Sequence, residues 1–204
     1  MWDPFGDNHR KGLLRNKFGV TDPKRLKGLE FFSIEQNLQK ALSVLQREKQ
    51  IDLRSWRRTH AVLFGAIYPW AGSIRHLEVR KGPVHFNTIS FIEKETNRIF
   101  AKAAQPDFLI ANLGYVYGEL AFNHPFIDGN GRSLNTVFSE LTRRNGFSLR
   151  WNNIAKEDYL KYLTRAIVDT EYDDLNSYFK SLVVERESLD DQQRRLIGAA
   201  TVVK

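Results

Sequence analysis

The 204-residue sequence contains no cysteine. Disulfide bonds and thiolate-bound zinc are therefore excluded as supports of the fold, and a reducing cytosol fits the composition best. The sequence also lacks any apolar run of about 18 residues, and its N-terminus has no basic segment followed by an apolar one. We therefore expect neither a membrane-spanning helix nor a cleaved secretion signal, and a cytoplasmic location.

Extremes of composition are missing as well. Hydrophobic residues make up 42% and charged residues 27% of the chain, which is typical of globular proteins rather than disordered or fibrous ones. The net charge of +7 suggests nucleic-acid binding, because Lys and Arg gain affinity for phosphates through counterion release. However, the basic residues are scattered and mostly interleaved with acidic ones. A solvated basic surface is the preferred interpretation, a site for an acidic partner is the alternative, and no nucleic-acid partner is expected.

Apolar residues recur at helical spacing through most of the chain, which predicts a mainly α-helical bundle. Asp52 is a predicted N-cap and Gly146 a predicted residue just beyond a helix C-terminus. One short β-hairpin is predicted between Ile74 and Phe86, around a Gly-Pro turn. The last stretch of the chain has too little periodicity for an assignment. Helices are predicted over residues 29–45, 53–68, 90–104, 106–123, 132–145, 156–168 and 173–184.

One loop between two predicted helices concentrates residues suited to phosphate chemistry, and it reads His-Pro-Phe-Ile-Asp-Gly-Asn-Gly-Arg over residues 124–132. Its two glycines let the backbone approach a ligand, so that successive N–H groups can converge on an anion. The following helix adds unpaired N–H groups at its start. Arg132 supplies a forked cation for phosphate oxygens, and Asp128 supplies a carboxylate suited to Mg²⁺. The loop is therefore predicted to hold a nucleotide.

His124 ends the helix before this loop, where an imidazole could accept the proton of an attacking hydroxyl group. A base beside a bound phosphate chain indicates phosphoryl or nucleotidyl transfer. A histidine at a helix end is more often structural, but its neighbours reverse that expectation. A calcium-binding EF-hand loop is excluded because Ser133 and Ser139 stand where Gly and Glu are required. Phe126 is predicted to be a core anchor.

The loop resembles the signature of the Fic domain, His-Pro-Phe-x-Asp/Glu-Gly-Asn-Gly-Arg, at every fixed position. Residues 60–75 are similar to the stretch that precedes the β-hairpin flap of this family. Residues 13–23 are similar to the N-terminal segment of bacterial Fic toxins and of Fic effectors secreted by type IV systems. The resemblance implies a Fic domain over residues 13–185, with an N-terminal extension over 1–12 and a C-terminal tail over 186–204.

The resemblance implies a protein adenylyltransferase, which transfers AMP from Mg-ATP to a Tyr, Ser or Thr hydroxyl group of a target protein. His124 would be the general base and Asp128 would hold Mg²⁺. The α-phosphate would be oriented by Asn130 and the neighbouring amides, and the β/γ end of ATP would be held by Arg132. The nucleotide-binding residues would be Gly129, Asn130, Gly131 and Arg132.

The hairpin resembles a flap that clamps the target segment by adding it as a strand. The residues expected to bind the target are Val84, His85, Phe86 and Asn87. Close variants in the family phosphorylate or transfer other groups, so a Fic-type phosphotransferase or another nucleotidyltransferase is an alternative. A catalytically weak nucleotide-binding module is a further alternative of a different class. Gly131 favours AMP transfer, because the phosphorylating relatives carry Lys at this position.

The sequence departs from many family members at Asn135, where they carry a second arginine that seats the γ-phosphate. No inhibitory Ser/Thr-x-x-x-Glu-Gly/Asn motif is found. We therefore expect regulation from a small antitoxin-like inhibitor acting in trans, weakened because it would meet an amide at Asn135. Toxin-like and effector-like relatives imply different targets, and the second group would add translocation into a host cell by a signal outside this chain.

Overall fold

The computed structural model describes residues 13–202, so the expected N-terminal extension lies outside the described residues. The fold is mainly α-helical, as predicted, with two small antiparallel strand pairs. In chain order its elements are α1 (Pro23–Arg47), α2 (Leu53–Phe64), β1 (Arg80–Lys81), β2 (Val84–His85), α3 (Ile89–Ala103), α4 (Pro106–Ala111), α5 (Leu113–Asn123), α6 (Asn130–Arg144), β3 (Phe147–Leu149), a 3₁₀ helix (Trp151–Asn153), α7 (Lys156–Val168), α8 (Asp173–Ser181), β4 (Val183–Glu185) and α9 (Leu189–Val202).

Capping residues set several helix ends where the sequence predicts them. Asp52 caps α2, and its carboxylate accepts a hydrogen bond from the Ser55 backbone N–H at 2.9 Å. Gly146, just past α6, has a φ of +90°, which a glycine adopts without steric cost. Helix α1 begins earlier than expected, at Pro23, because Asp22 caps it through the Arg25 N–H at 2.7 Å.

Three predicted elements differ from the structure. The helix predicted over residues 106–123 is interrupted at Asn112, where φ is −126° and ψ is 37°, so it forms α4 and α5. The helix predicted to reach residue 184 ends at Ser181, and its β-branched Val183 and Val184 pair with β3 instead. The predicted hairpin is shorter than expected, because pairing begins only at Arg80.

Helix α6 lies at the centre of the molecule, in contact with α1, α2 and α5. The Trp56 indole on α2 donates a hydrogen bond to Ser133 Oγ on α6 at 2.9 Å. Phe126 is fully buried, which confirms its predicted anchoring role, and it packs edge-on against Trp56 at a centroid distance of 5.6 Å. These contacts fix the loop before α6 to the helical core.

The C-terminal residues that the sequence left unassigned form helix α9, which packs against α1, α6 and the 3₁₀ helix. Leu196 on α9 is 4% exposed, and Gln192 is also buried. Helix α9 therefore contributes to the same core as the rest of the fold. Among the described residues, no helix combines the length and apolar character needed to cross a membrane.

Candidate active site

The loop over residues 124–129 joins the end of α5 to the start of α6. His124 has φ of 41° and ψ of 60°, the left-handed region, which costs a non-glycine residue on the order of 1–2 kcal/mol. Gly129, the residue before α6, also has a positive φ, of 76°. The surrounding contacts must therefore hold this unfavourable backbone conformation in place.

Arg75 anchors the loop to the hairpin. Its guanidinium is fully buried and donates hydrogen bonds to the His124 carbonyl and to the Leu77 carbonyl, each at 2.8 Å. It also donates to the Asn87 carbonyl, and its backbone N–H donates to the Pro125 carbonyl at 2.8 Å. One buried side chain thus connects the histidine loop to both sides of the hairpin.

The His124 ring keeps one unprotonated nitrogen. Its Nδ1 lies 3.3 Å from the Ala121 carbonyl, an acceptor only, so Nδ1 carries the proton and Nε2 keeps a lone pair. The Phe86 ring stacks on the imidazole at a centroid distance of 3.6 Å. Burial lowers the pKa of His124 to about 3, and the ring is therefore neutral at physiological pH.

Helix α6 begins with no side chain capping its N–H groups. The Asn130 side chain closes the loop instead, accepting from the Phe126 N–H at 2.9 Å and donating to the Phe126 carbonyl at 2.8 Å. Any contact of Asn130 with a phosphate would therefore come from its backbone. An uncapped helix N-terminus with a preceding glycine offers converging N–H groups to an anion.

A second histidine, His60, fixes the middle of the loop. Its Nδ1 accepts from the Gly72 N–H at 3.0 Å, so its Nε2–H donates to the Asp128 carbonyl at 2.8 Å. Burial lowers its pKa to about 4, which keeps the ring neutral. A Cβ on Gly129 would lie only 3.0 Å from this ring and 2.7 Å from Phe64. The loop therefore packs closely on α2.

The Asp128 side chain is 48% exposed, while its backbone is held by His60. Within the described range, no group of three or more His, Asp or Glu side chains could hold a metal ion alone. Mg²⁺ is commonly bound by one or two carboxylates together with substrate phosphates, so a single exposed carboxylate beside an anion site fits this ion. Asp128 is the residue that could hold it.

Arg132 points toward α1 and α2. Its Nη1 donates to Glu30 Oε2 at 2.7 Å, its Nη2 lies 3.6 Å from Asp128 Oδ1, and its guanidinium lies 4.9 Å from the centre of the Phe64 ring. The other oxygen of Glu30 accepts a hydrogen bond from the Tyr68 hydroxyl. Glu30 was not predicted, although its spacing from Leu26 and Ile34 places it on the buried stripe of α1, where a carboxylate needs a partner.

The four predicted flap residues have different environments. Val84 is 7% exposed and lies on β2, which packs against α7, whereas His85 is exposed. Phe86 stacks on His124. Asn87 is held at the base of the hairpin, where its N–H donates to the Phe122 carbonyl at 3.0 Å. Of these four residues, only His85 is exposed.

The structure contradicts the expected position of Asn135. Its side chain is buried, and its Oδ1 accepts from the Tyr117 hydroxyl at 2.6 Å. Tyr117 in turn hydrogen-bonds Tyr159 on α7 at 2.7 Å. Asn135 thus faces the core between α5 and α7, whereas Arg132 faces α1 and α2. An inhibitor or a γ-phosphate would not meet the Asn135 amide in this arrangement.

Residues 50–141, which include the histidine loop and the hairpin, match the model of the Fic/DOC family. Over this segment the chain is similar to Fic domains. The match covers α2 to α6, the elements that supply most of the residues described above.

Curated relatives and solved structures extend the Fic resemblance along the chain. Protein adenylyltransferase VbhT of Bartonella schoenbuchensis is 28% identical over 90% of this chain, which spans 38% of VbhT. The probable protein adenylyltransferase y4lH of Sinorhizobium fredii is 28% identical over 76% of this chain and 83% of its own length. The BepC effector of Bartonella tribocorum with bound AMPPNP has a TM-score of 0.68 at 19% identity, covering 85% of this chain and 93% of its own, and shows the same fold.

Proposed function

We propose that this Fic domain is a protein adenylyltransferase, which transfers AMP from Mg-ATP to a Tyr, Ser or Thr hydroxyl group of a target protein. The observation that carries the proposal is the pairing of a neutral imidazole with an uncapped helix N-terminus one loop away. His124 keeps a lone pair on Nε2, and α6 offers unpaired N–H groups to a phosphate chain. This pairing suits attack of a hydroxyl group on a bound phosphate.

In the proposed reaction, His124 Nε2 accepts the proton of the target hydroxyl group as its oxygen attacks the α-phosphorus of ATP. A new phosphodiester bond to the target forms, and the bond between the α-phosphorus and the bridging oxygen breaks. Pyrophosphate leaves, and the proton stays on His124 until solvent removes it. Mg²⁺, held by Asp128 and phosphate oxygens, would supply charge neutralisation.

The nucleotide is proposed to lie along the start of α6. The N–H groups of Asn130 and Gly131 would contact the α-phosphate, and Arg132 would contact the β/γ end. The Gly129 N–H donates to Asp128 Oδ1 at 2.6 Å in this structure, so it would join them only after exchanging that carboxylate for the phosphate. The names of VbhT and y4lH as protein adenylyltransferases support this assignment, as do the Bartonella structures with AMPPNP and ADP. The activity remains a proposal for this chain, which spans less than half of VbhT.

The two strands of the flap, β1 and β2 (residues 80–85), are proposed to bind the target backbone. Phe86 N–H donates to the Val79 carbonyl at 3.3 Å, and Lys81 pairs with Val84. Arg80 and His85 lie between these two pairs and form the pair that is not hydrogen-bonded within the hairpin. In an antiparallel ladder, the polar groups of such a pair point outward. Because the next outward N–H on this edge, that of Asn87, is already bound by Phe122, we propose that the target strand pairs with β2 at His85.

A small antitoxin-like inhibitor is a proposed second partner, and it would have to act at Arg132 because Asn135 is buried. Translocation into a host cell, as in the named Bartonella effectors, is a further proposal for the protein of which this domain is part.

The deciding experiment incubates the purified protein with Mg²⁺ and either α- or γ-phosphate-labelled ATP, in bacterial or host-cell lysate. We expect a protein band labelled from the α-position only, since pyrophosphate carries the γ-phosphate away. Label from the γ-position alone would identify a phosphotransferase. ATP binding without label from either position, in both lysates, would favour a nucleotide-binding module.

A further inference from the structure

We propose that Glu30 is a positioning residue, which fixes the Arg132 guanidinium where it can receive the β- and γ-phosphates. This inference rests on the proposed function in one respect: it takes the nucleotide to bind beside Arg132. Glu30 lies on α1, outside the segment that matches the Fic/DOC family model.

Glu30 is part of a buried chain of polar contacts. It is 5% exposed, and its two oxygens have different partners: Oε2 accepts from Arg132 at 2.7 Å, and Oε1 accepts from the Tyr68 hydroxyl. Burial, and then the adjacent Glu30 charge, raises the pKa of Tyr68, so the hydroxyl stays protonated and remains a donor. Tyr68 is itself 2% exposed and stacks on Trp70. Glu30 therefore cannot swing away without leaving a buried group unsatisfied.

The burial of an ion pair is weak evidence for a role in stability, because removing two charges from water offsets much of their attraction. The contacts here indicate instead a role in fixing the orientation of the Arg132 guanidinium. Arg132 is held on three sides, by Glu30, by the Phe64 ring at 4.9 Å and by Asp128 at 3.6 Å. A guanidinium carries five N–H donors in a fixed plane, so donors remain for phosphate oxygens once its orientation is set.

Preorganised charges contribute more to binding and catalysis than mobile ones, because no ordering is required when the ligand arrives. Arg132 is 18% exposed, so part of it reaches the surface while Glu30 anchors it from the interior. A mobile arginine would lose rotamer freedom on binding ATP, whereas this one has already lost it. The opposite role, in which Glu30 competes with phosphate for Arg132, predicts tighter ATP binding when its charge is removed.

The test measures ATP and AMP dissociation constants, with Mg²⁺, for the wild type, Glu30→Gln, Tyr68→Phe and Arg132→Ala, and for the two combinations with Arg132→Ala. We expect Glu30→Gln to weaken ATP binding about tenfold and Tyr68→Phe to weaken it severalfold, with AMP binding unchanged. In the Arg132→Ala background neither change should have a further effect, because the residue being positioned is absent. Glu35→Gln, on the exposed side of α1, is the matched control.

A loss of ATP affinity that persists in the Arg132→Ala background, or that extends equally to AMP, would assign Glu30 a general structural role. Tighter ATP binding by Glu30→Gln would assign it a competing role. Either result overturns the proposal.

A second measurement needs no nucleotide. In a ¹H–¹⁵N spectrum, the Arg132 Nε–H signal should be sharp in the wild type, broadened by Glu30→Gln and, less strongly, by Tyr68→Phe. A signal unchanged in Glu30→Gln would overturn the proposal. If the wild type binds no ATP, the proposed function fails, while this signal still decides whether Glu30 fixes Arg132.

Discussion

The histidine loop and the flap differ in how firmly the fold holds them. Within the loop, the backbone groups of His124, Phe126 and Asp128 are held by Arg75, Asn130 and His60 at distances of 2.8–2.9 Å. The flap consists of two strands of two residues, and a Cβ added at its Gly82 would meet nothing within 4 Å. The loop is enclosed by the core, whereas the flap contacts the core through Val84 and exposes its turn.

This difference matches the two tasks proposed for the site. The nucleotide is the same in every turnover, so a preformed loop can bind it without reorganisation of the protein. A protein target brings a flexible segment, and backbone pairing with a strand can accept many side chains. The comparison predicts that changes in the loop affect chemistry and stability strongly, whereas changes in the flap affect only target modification.

The largest expected effect comes from His124→Ala. Loss of a general base commonly lowers turnover by about 10²- to 10⁴-fold, and ATP affinity should remain because the α6 N-terminus is intact. Target labelling and ATP binding are measured on the same preparation. Turnover within twofold of the wild type would remove His124 from the mechanism.

Gly129→Ala should have the next largest effect. Alanine is strained at a φ of +76°, and its Cβ would lie 2.7 Å from Phe64. We expect the free energy of unfolding to fall by roughly 2 kcal/mol or more, with weaker ATP binding. Gly131→Ala is the control, because nothing lies within 4 Å of its added Cβ and its stability should not fall. Equal melting temperatures for the two variants would mean that the loop is less constrained than we describe.

His85→Pro tests the flap with a smaller effect. Proline removes the outward N–H proposed to bind the target strand, so target modification should fall about tenfold, the cost of one or two hydrogen bonds. ATP binding and melting temperature should be unchanged. Arg80→Pro alters the other edge of the hairpin and serves as the comparison. A greater loss with Arg80→Pro would place the target on β1 instead.

The smallest expected effect is that of pH on the chemical step. A base whose pKa is lowered to about 3 is already neutral at physiological pH, so it loses function only as the pH falls toward that value. Turnover should therefore vary less than about twofold between about pH 5.5 and 7.5, whereas an ordinary histidine would lose half its activity near pH 6.5. A half-maximal point near pH 6.5 would contradict the lowered pKa of His124.

Stability must be measured at each pH of that profile. The pKa of His60 is lowered to about 4, so the unfolded chain binds a proton more readily than the folded one below about pH 6.5. The contribution of neutral His60 to the free energy of unfolding is therefore fully present above about pH 6.5 and decreases as the pH falls toward 4. The profile should be restricted to conditions in which the protein remains folded.

The sequence indicated the helical class and the loop because both depend on local patterns. Periodic apolar residues specify the helices, and Asp52 and Gly146 mark ends through short-range capping and backbone preference. The break at Asn112 has no comparable signal, because its neighbours continue the apolar pattern. Val183 and Val184 form a strand only because Phe147–Leu149 lies beside them, which is a long-range contact.

The same distinction applies to the site. His124 and Arg132 lie in one contiguous motif and could be predicted together. Glu30 is separated from Arg132 by 102 positions, and the only local signal was a carboxylate on an apolar stripe. Asn135 was placed at the phosphate end by resemblance, but its environment depends on Tyr117 and Tyr159 from two other helices.

Arg75 links the histidine loop to the residues that follow the hairpin. The same guanidinium contacts the carbonyl of His124 and that of Asn87, so a displacement of the hairpin base is transmitted to the histidine. By thermodynamic linkage, if target binding changes the proton affinity of His124, then protonation of His124 changes target affinity by the same factor. Substitutions in the flap should therefore preserve the active site only where they leave the Asn87 carbonyl within reach of Arg75. The tip of the hairpin, where a Cβ at Gly82 would meet nothing within 4 Å, should tolerate substitution better than the residues that contact Arg75.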